Sequence, residues 1–390
     1  MKTVKLALVG INGYGKTYLD YLLDRNDPRI RVVGLVEPYL QGCSRLAELQ
    51  KRSIPIYPDC HTLYKNETVD LTVIASPIPF HTEQILCALQ NGSHVLCEKP
   101  LCADERDIPL LLEAERQSGR LVFIGYQWSF SCAIGALKQD ILAGKLGKCH
   151  TMTSMVLWPR TTSYFGRGTG WAGKIRLPDG TAVYDSVANN AAAHYLHNML
   201  FLLGDFGKAA EPKVVECQLY RANSIENFDT AKITVTVEGG TVATFLAAHP
   251  VRRNLEPTFT FQFDRATVCY SAVQTKNTLS LMPPEYTEYG KIVAIHQDGS
   301  KTVYGNPFAG SYNKLEAAVE AALTGEIVTV PCGIEAAAMH TRLINRIQNG
   351  FEIRSFDPIQ IRRENELVYV EGLYERFLEL YRDPTKAIQE

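Results

Sequence analysis

VKLALVGINGYGKTYLDYLLDR, residues 4–25, reads as a buried strand, a glycine turn and a helix. Residues 4–10 are apolar apart from Lys5, the pattern of a strand covered on both faces. In a G-x-G-x-x-G turn each glycine has its own task. The first makes the bend, the second lets a pyrophosphate approach the backbone, and the third lets the helix pack on the strand. Gly10 and Gly15 fill the first and third places. Asn12 holds the second, a residue that tolerates positive φ better than most, and Gly13 beside it keeps the loop open. The stretch predicts a dinucleotide bound over Gly10, Asn12, Gly13, Tyr14 and Gly15, with its pyrophosphate at the helix N-terminus.

Working outward, apolar runs recur at 30–37, 70–76, 93–99 and 119–126. Helical patterns lie between them, near 14–25, 41–52, 81–91 and 105–117. This alternation builds βαβ units and a parallel sheet. The second run ends in Glu37, where a carboxylate can accept hydrogen bonds from the adenosine ribose hydroxyls and would repel a 2′-phosphate. NAD is therefore expected rather than NADP. Ser76, Pro77 and His81 fall at the carboxyl edge of the sheet, where ligands bind in such folds. The next run ends in Glu98, Lys99 and Pro100. A lysine at that edge sits where a nicotinamide ring would lie, and a desolvated lysine can move a proton.

The middle of the chain has another rhythm. Residues 147–158, 213–221, 230–248, 257–271 and 278–304 look like longer strands, with hairpin turns at Gly239-Gly240 and Asp298-Gly299. A helix is expected over about 186–203, and helices close the chain at 313–324, 334–349 and 366–382. The reading is α/β: a Rossmann domain with a parallel sheet over 1–126, then an α+β domain with a large, mostly antiparallel, open-faced sheet over 127–351. Residues 352–390 form a C-terminal extension with a helix.

Composition narrows the function classes. A chain of 390 residues is too long for one ordinary core. A net charge of -2 gives no reason to expect nucleic acid or an anionic membrane. No apolar run reaches the roughly 18 to 20 residues of a membrane span. The apolar N-terminal run meets Gly and Asn at once and is followed by no small-residue cleavage site. The ten cysteines are scattered and no CxxC occurs. Reduced thiols in a cytoplasmic protein, with no metal site, are the expectation.

Three blocks carry a resemblance: GINGYG, ASPIPFHTEQILCALQNGSHVLCEKPL and NNAAAHYLHNMLFLLG. The chain resembles the Gfo/Idh/MocA oxidoreductases over roughly residues 4–351, with the order and spacing of Pro-x-x-x-His and EKP as its most specific part. The resemblance places the family's catalytic lysine at Lys99. It places the histidine of the family's DxGxH-type motif at His194 and puts Asn190 where the aspartate would stand. On one continuous helix Asn190, His194 and His197 would be i, i+4 and i+7, on a single face. A carboxylate at position 190 would raise the His194 pKa, whereas an amide orients the ring without adding charge.

Residues 158–185 form a long Gly-rich segment with Trp158, Arg160, Tyr164, Arg167, Trp171 and Lys174. Aromatic faces with fixed donors suit sugar rings. Arg160, Tyr164 and Lys174 are the candidate substrate contacts, joined by His194, His197 and the interdomain residues Tyr126, Gln127 and Trp128. The resemblance implies an NAD-dependent oxidoreductase acting on a secondary hydroxyl of a sugar, sugar derivative or cyclitol. Two alternatives stand beside it: a redox-neutral sugar enzyme with tightly held NAD, and an NAD- or sugar-binding regulator without turnover. It also implies a homo-oligomer paired through the second domain's sheet.

Overall fold

The structure, a computed structural model, describes residues 3–167, 170–325 and 329–389. The chain divides into two compact units: Met1–Gln127 with Tyr312–Thr341, and Trp128–Ser311 with Arg342–Glu390.

The first unit is a six-stranded sheet. Its strands are β1 (Val4–Val9), β2 (Ile30–Val36), β3 (Ile56–Tyr57), β4 (Leu71–Ile74), β5 (His94–Cys97) and β6 (Val122–Ile124), in the order β3-β2-β1-β4-β5-β6. All five pairings are parallel. The order reverses at β1, so the ends of β1 and β4 form the switch point where such sheets take ligands. β1 is buried along almost its whole length, as a strand covered on both faces must be. Its helices are α1 (Gly15–Arg25), α2 (Leu46–Lys51), α3 (Cys60–Asn66), α4 (His81–Gln90) and α5 (Ile108–Ser118). α1 buries Tyr18, Leu19, Leu22 and Leu23, a single helical stripe, and stops where Asn26 turns left-handed at φ 48°. β3 and α3 are additions to the sequence reading. Asp59 caps α3 by accepting from the Thr62 amide, a start signal not followed by a long periodic run.

The second unit begins with α6 (Cys132–Leu142), followed by β7 (Cys149–Leu157), the short α7 (Thr162–Phe165) and α8 (Ala193–Leu203). Then come β8 (Pro212–Arg221), β9 (Thr230–Val237), β10 (Val242–Ala248), β11 (Leu255–Phe263), β12 (Ala266–Ser271), α9 (Lys276–Leu279), β13 (Ile292–His296) and β14 (Lys301–Gly305). α10 (Asn313–Thr324) belongs to the first unit and packs on β1, β4 and β5. The residues of α11 (Ile334–Gly350) are divided between the two units. The chain closes with β15 (Ile353–Ser355), β16 (Ile361–Glu364), β17 (Leu367–Val370) and α12 (Leu373–Arg382). Nine strands form the second sheet, β14-β13-β12-β11-β7-β10-β9-β8-β15. It is mostly antiparallel; β10 pairs with β7, and β15 with β8, in parallel. Both expected hairpins form, with φ of 86° and 84° at Gly239 and Gly240 and 82° at Gly299.

Three expectations are corrected. The helix expected over 186–203 begins only at Ala193. Ahead of it Asn189 donates through its side chain to the Tyr184 carbonyl and through its amide to Ser186 Oγ, bonds that compete with a helical ladder. Residues 278–304 are not strand throughout. A capping box between Thr275 and Thr278 starts α9, and Pro283-Pro284 cannot donate to a ladder. The helix expected over 366–382 is a strand and a helix, parted by Gly372 at φ 75°.

The tail is not loose. Val368, Val370, Leu373, Phe377 and Leu380 join Met155, Leu157, Leu246 and Leu255 in one buried cluster. The apolar face of α12 thus covers a face of the second sheet at β7 and β10. The cover is centred on these two strands of the nine. Among the described residues no helix is long and apolar enough to cross a membrane.

Candidate functional site

In the first unit the glycine turn is built under steric constraint. Gly10 has φ 80°, and a Cβ there would stand 2.9 Å from the Ser76 nitrogen. A Cβ at Gly15 would stand 1.8 Å from the Gly10 carbonyl oxygen. Neither position accepts a side chain. The positive φ expected of Asn12 falls instead on Gly13, at 55°, where a Cβ would meet nothing within 4 Å. The open backbone face lies at Gly13 and Tyr14, both exposed. Asn12 ties the loop to the end of β2, its side-chain Nδ2 donating to the Tyr39 carbonyl at 3.0 Å. Glu37 does the same with charge. Its Oε2 accepts from the Ile11 amide and its Oε1 from the Tyr39 amide, each at 3.1 Å. Each oxygen keeps a second lone pair for a ribose hydroxyl. The cradle fits a dinucleotide: bare backbone where a pyrophosphate needs it and an acceptor where a ribose needs it.

At the edge of β4 and β5 the candidates take different parts. His81 is buried, with Nδ1 2.8 Å from the Pro100 carbonyl and Nε2 3.0 Å from the Ser76 carbonyl. It braces the β4 end, with Ser76 and Pro77, against the loop after β5, where the Lys99–Pro100 peptide is cis. Burial lowers its pKa, against the pull of the two carbonyls. Glu98 is also buried. It accepts from the Tyr18 hydroxyl at 2.7 Å and pairs with the buried ammonium of Lys314 on α10. Lys314 also reaches the Tyr14 hydroxyl. Burial, the largest single influence, lowers its pKa, but the charge of Glu98 and the contacts to Glu98 and Tyr14 together outweigh it and leave the pKa raised. Lys99 is half-buried beside this network. Tyr126 is buried next to His340 of α11, their rings 5.5 Å apart. Burial, with Lys99 adding to it, holds the His340 pKa at about 3. Glycine periodicity and strand ends carried no sign of Lys314 or His340, which arrive from the far end of the chain.

In the second unit Asn190 precedes α8 and His194 lies in its first turn, half-buried. The Asn190 Nδ2 donates to Asp185 Oδ1 at 2.7 Å, and Asp185 Oδ2 accepts from the Gly173 amide at 2.6 Å. A buried carboxylate thus stands one hydrogen bond from the position where the family pattern has one. The sequence reading missed Asp185 because it lies five residues ahead of Asn190, off the motif's register. His197 is buried and stacks on Phe201 at 6.0 Å. Trp128 is core, edge-on to Tyr195 at 4.9 Å and Tyr270 at 5.6 Å, while Gln127 is half-buried.

The segment after β7 gathers side chains. The Arg160 guanidinium lies against Trp158 at 5.3 Å and Tyr164 at 4.9 Å. That of Arg167 lies against Tyr164 at 3.6 Å and Trp171 at 5.0 Å. His249 sits under Tyr164 and is held neutral, its pKa lowered to about 3 chiefly by burial. The tail anchors the start of the segment: the Thr162 amide donates to the Glu366 carbonyl at 2.9 Å. Lys174 points elsewhere, paired with Glu226 at 2.5 Å and half-exposed. Gly168 and Thr169 of this segment lie outside the described residues. Among the described residues no group of three or more His, Cys, Asp or Glu could hold a metal ion.

Residues 4–126, the glycine turn and the EKP edge together, match the Gfo/Idh/MocA model, described as an oxidoreductase family with an NAD-binding Rossmann fold. The match lies within the first unit and covers the Rossmann part of the chain. Among curated relatives it is 28% identical over 154 residues to 2,7-anhydro-N-acetylneuraminate hydratase from Mediterraneibacter gnavus, covering 39% of this chain and 40% of that one. It is 28% identical over 151 residues to inositol 2-dehydrogenase from Pseudomonas fluorescens, covering 37% and 44%. The chain thus spans about two-fifths of the length of these relatives. Among solved structures, the WlbA dehydrogenase from Bordetella pertussis, in complex with NADH and UDP-GlcNAcA, superposes with a TM-score of 0.68. The match covers 89% of this chain and 96% of that one, and at 19% identity the likeness is one of fold.

Proposed function

We propose that this protein is a Gfo/Idh/MocA-type, NAD-dependent oxidoreductase that takes hydride from a secondary hydroxyl of a sugar, sugar derivative or cyclitol. The observation that carries it is the cradle: Gly10 and Gly15 admit no side chain, Gly13 presents open backbone, and Glu37 keeps acceptor capacity. Glu37 supports NAD over NADP, since a 2′-phosphate would meet a carboxylate. When bound, NAD supplies the hydride acceptor. The chain's own residues handle the proton. The resemblance gives the proton of the substrate hydroxyl to His194 in the second unit, and a stabilising hydrogen-bond donor to Lys99 in the first. Asn190, oriented by Asp185, fixes the polar surroundings of His194. Glu98, His81 and Lys314 position Lys99 and the loop rather than touch the reacting atoms. In the second unit, buried Trp128 and His197 would shape the substrate's surroundings through packing.

The test is direct. Purified protein is incubated with NAD or NADP and a panel of sugars and cyclitols, following absorbance of the reduced cofactor. Turnover with NAD that is lost in Lys99→Ala and His194→Ala is expected. No turnover on any substrate, with NAD binding absent by calorimetry, overturns the reading. The similarity to a hydratase favours one second reading, in which NAD stays bound and returns its hydride within each cycle. Co-purifying NAD and turnover without added cofactor would select it.

A further inference from the structure

Arg160 and Arg167 converge on one ring. Their guanidinium carbons lie 4.9 and 3.6 Å from the centre of Tyr164, each also facing a tryptophan. A crowded cation is commonly paired with a carboxylate, as Lys174 is nearby with Glu226. Here neither arginine has an ion-pair partner among the described residues. Arg160 donates to the Pro159 carbonyl at 3.3 Å and to Tyr164, and its Nε is buried with no hydrogen-bond partner. Arg167 spends one donor on the Tyr164 carbonyl. His249 beneath them, its pKa lowered to about 3 by burial, adds no third positive charge. Two like charges on one ring repel, and a buried donor left unpaired is costly. The aromatic faces hold both forks in place, so little rotamer freedom remains to be lost when something binds.

We propose that this nest binds the oxyanion of an acidic substrate, a carboxylate or phosphate carried on the sugar. The proposal rests on the sugar-oxidoreductase reading and narrows it to anionic sugars. The fork geometry of guanidinium matches both oxyanions, and Trp158 and Trp171 offer flat faces for the neighbouring ring. Arg160 and Arg167 would set specificity without touching the reacting atoms.

The test is calorimetric titration of NAD-saturated protein at constant ionic strength with inorganic phosphate, glucose 1-phosphate, D-glucuronate and D-glucose. Saturable binding of at least one anion is expected. Arg167→Ala and Arg160→Ala should each weaken it about tenfold or more, and Arg167→Lys should restore part. Preference for the phosphates or for glucuronate tells which oxyanion the nest takes. The proposal is overturned if no anion binds saturably, or if anion binding is the same in both alanine variants. Failure of the oxidoreductase reading looks different. Anion binding would then persist and depend on the arginines, while Lys99→Ala and the wild-type protein would be equally inert in NADH formation.

Discussion

At Gly15 one added carbon would stand 1.8 Å from a carbonyl oxygen, whereas at Arg167 a whole guanidinium already lies 3.6 Å from a ring centre. On the proposed reading the first region would recognise with backbone and the second with side chains. Backbone recognition is fixed by what is missing, so any substitution is an obstruction. Side-chain recognition is built by addition, so a substitution removes one contact and leaves the frame standing. The two regions should therefore respond to mutation in different ways: the glycine turn abruptly, the arginine nest in graded steps.

The sharpest break of that contrast is Gly15→Ala. The methyl cannot fit without moving the loop off the end of β1, so NAD affinity should fall more than about a hundredfold by calorimetry, with a lower melting temperature. Gly13→Ala tests the opposite corner of the same turn. Its Cβ meets open space and the strain at φ 55° costs about 1 to 2 kcal/mol. Comparable losses in the two variants would refute the steric account. Next in size is Lys314→Met, which leaves Glu98 buried without its cation. A destabilisation of about 3 to 5 kcal/mol in chemical denaturation is expected. Adding Glu98→Gln should recover much of it, because the cost lies in the orphaned charge. If the double variant is no more stable than the single, the pair is not what holds this edge.

The contrast also explains what the sequence made legible. Gly10, Gly15 and Glu37 announce themselves because short-range geometry demands them at fixed spacings from a strand end. The parallel sheet was readable for the same reason: strands buried on both faces are written as apolar runs. Lys314 and His340 were silent, since nothing in a lysine on α10 or a histidine on α11 reveals that the chain brings it back to β5 and β6. Asp185 was passed over because the irregular turn before Ala193 shifts it out of any helical register. The role of the tail was hidden as well. An amphipathic helix declares that it covers something, and only the three-dimensional structure shows that it covers β7 and β10.

Each region also contains a buried histidine whose ring should report on acid. His340 in the first unit and His249 in the second have pKa values lowered to about 3 by burial, from 6.5. A pKa depressed in the folded state means that the unfolded chain binds the proton first. The stability is then complete above pH 6.5 and falls as pH drops from there toward 3, by about 1.4 kcal/mol per pH unit for each ring. Denaturation curves at pH 7, 6 and 5 should be flatter for His249→Gln and for His340→Gln than for the unaltered chain. An unchanged slope in either variant would show that its ring is hydrated enough to titrate normally.

The smallest effect is expected at Lys174, and it bears on how the second region divides its charges. Lys174 and Glu226 pair at 2.5 Å, but both side chains are nearly half exposed. Water screens such a pair, and ordering two long side chains offsets most of the attraction, so Lys174→Ala should change stability by less than about 1 kcal/mol. The same substitution measured on KM asks a separate question. If KM rises while stability holds, the pair opens to admit substrate and Lys174 joins Arg160 and Arg167 as a third cation. If KM is steady, the pair is a solvated clasp between residues 174 and 226, and the positive charge offered to a ligand is confined to the two arginines that lack a carboxylate.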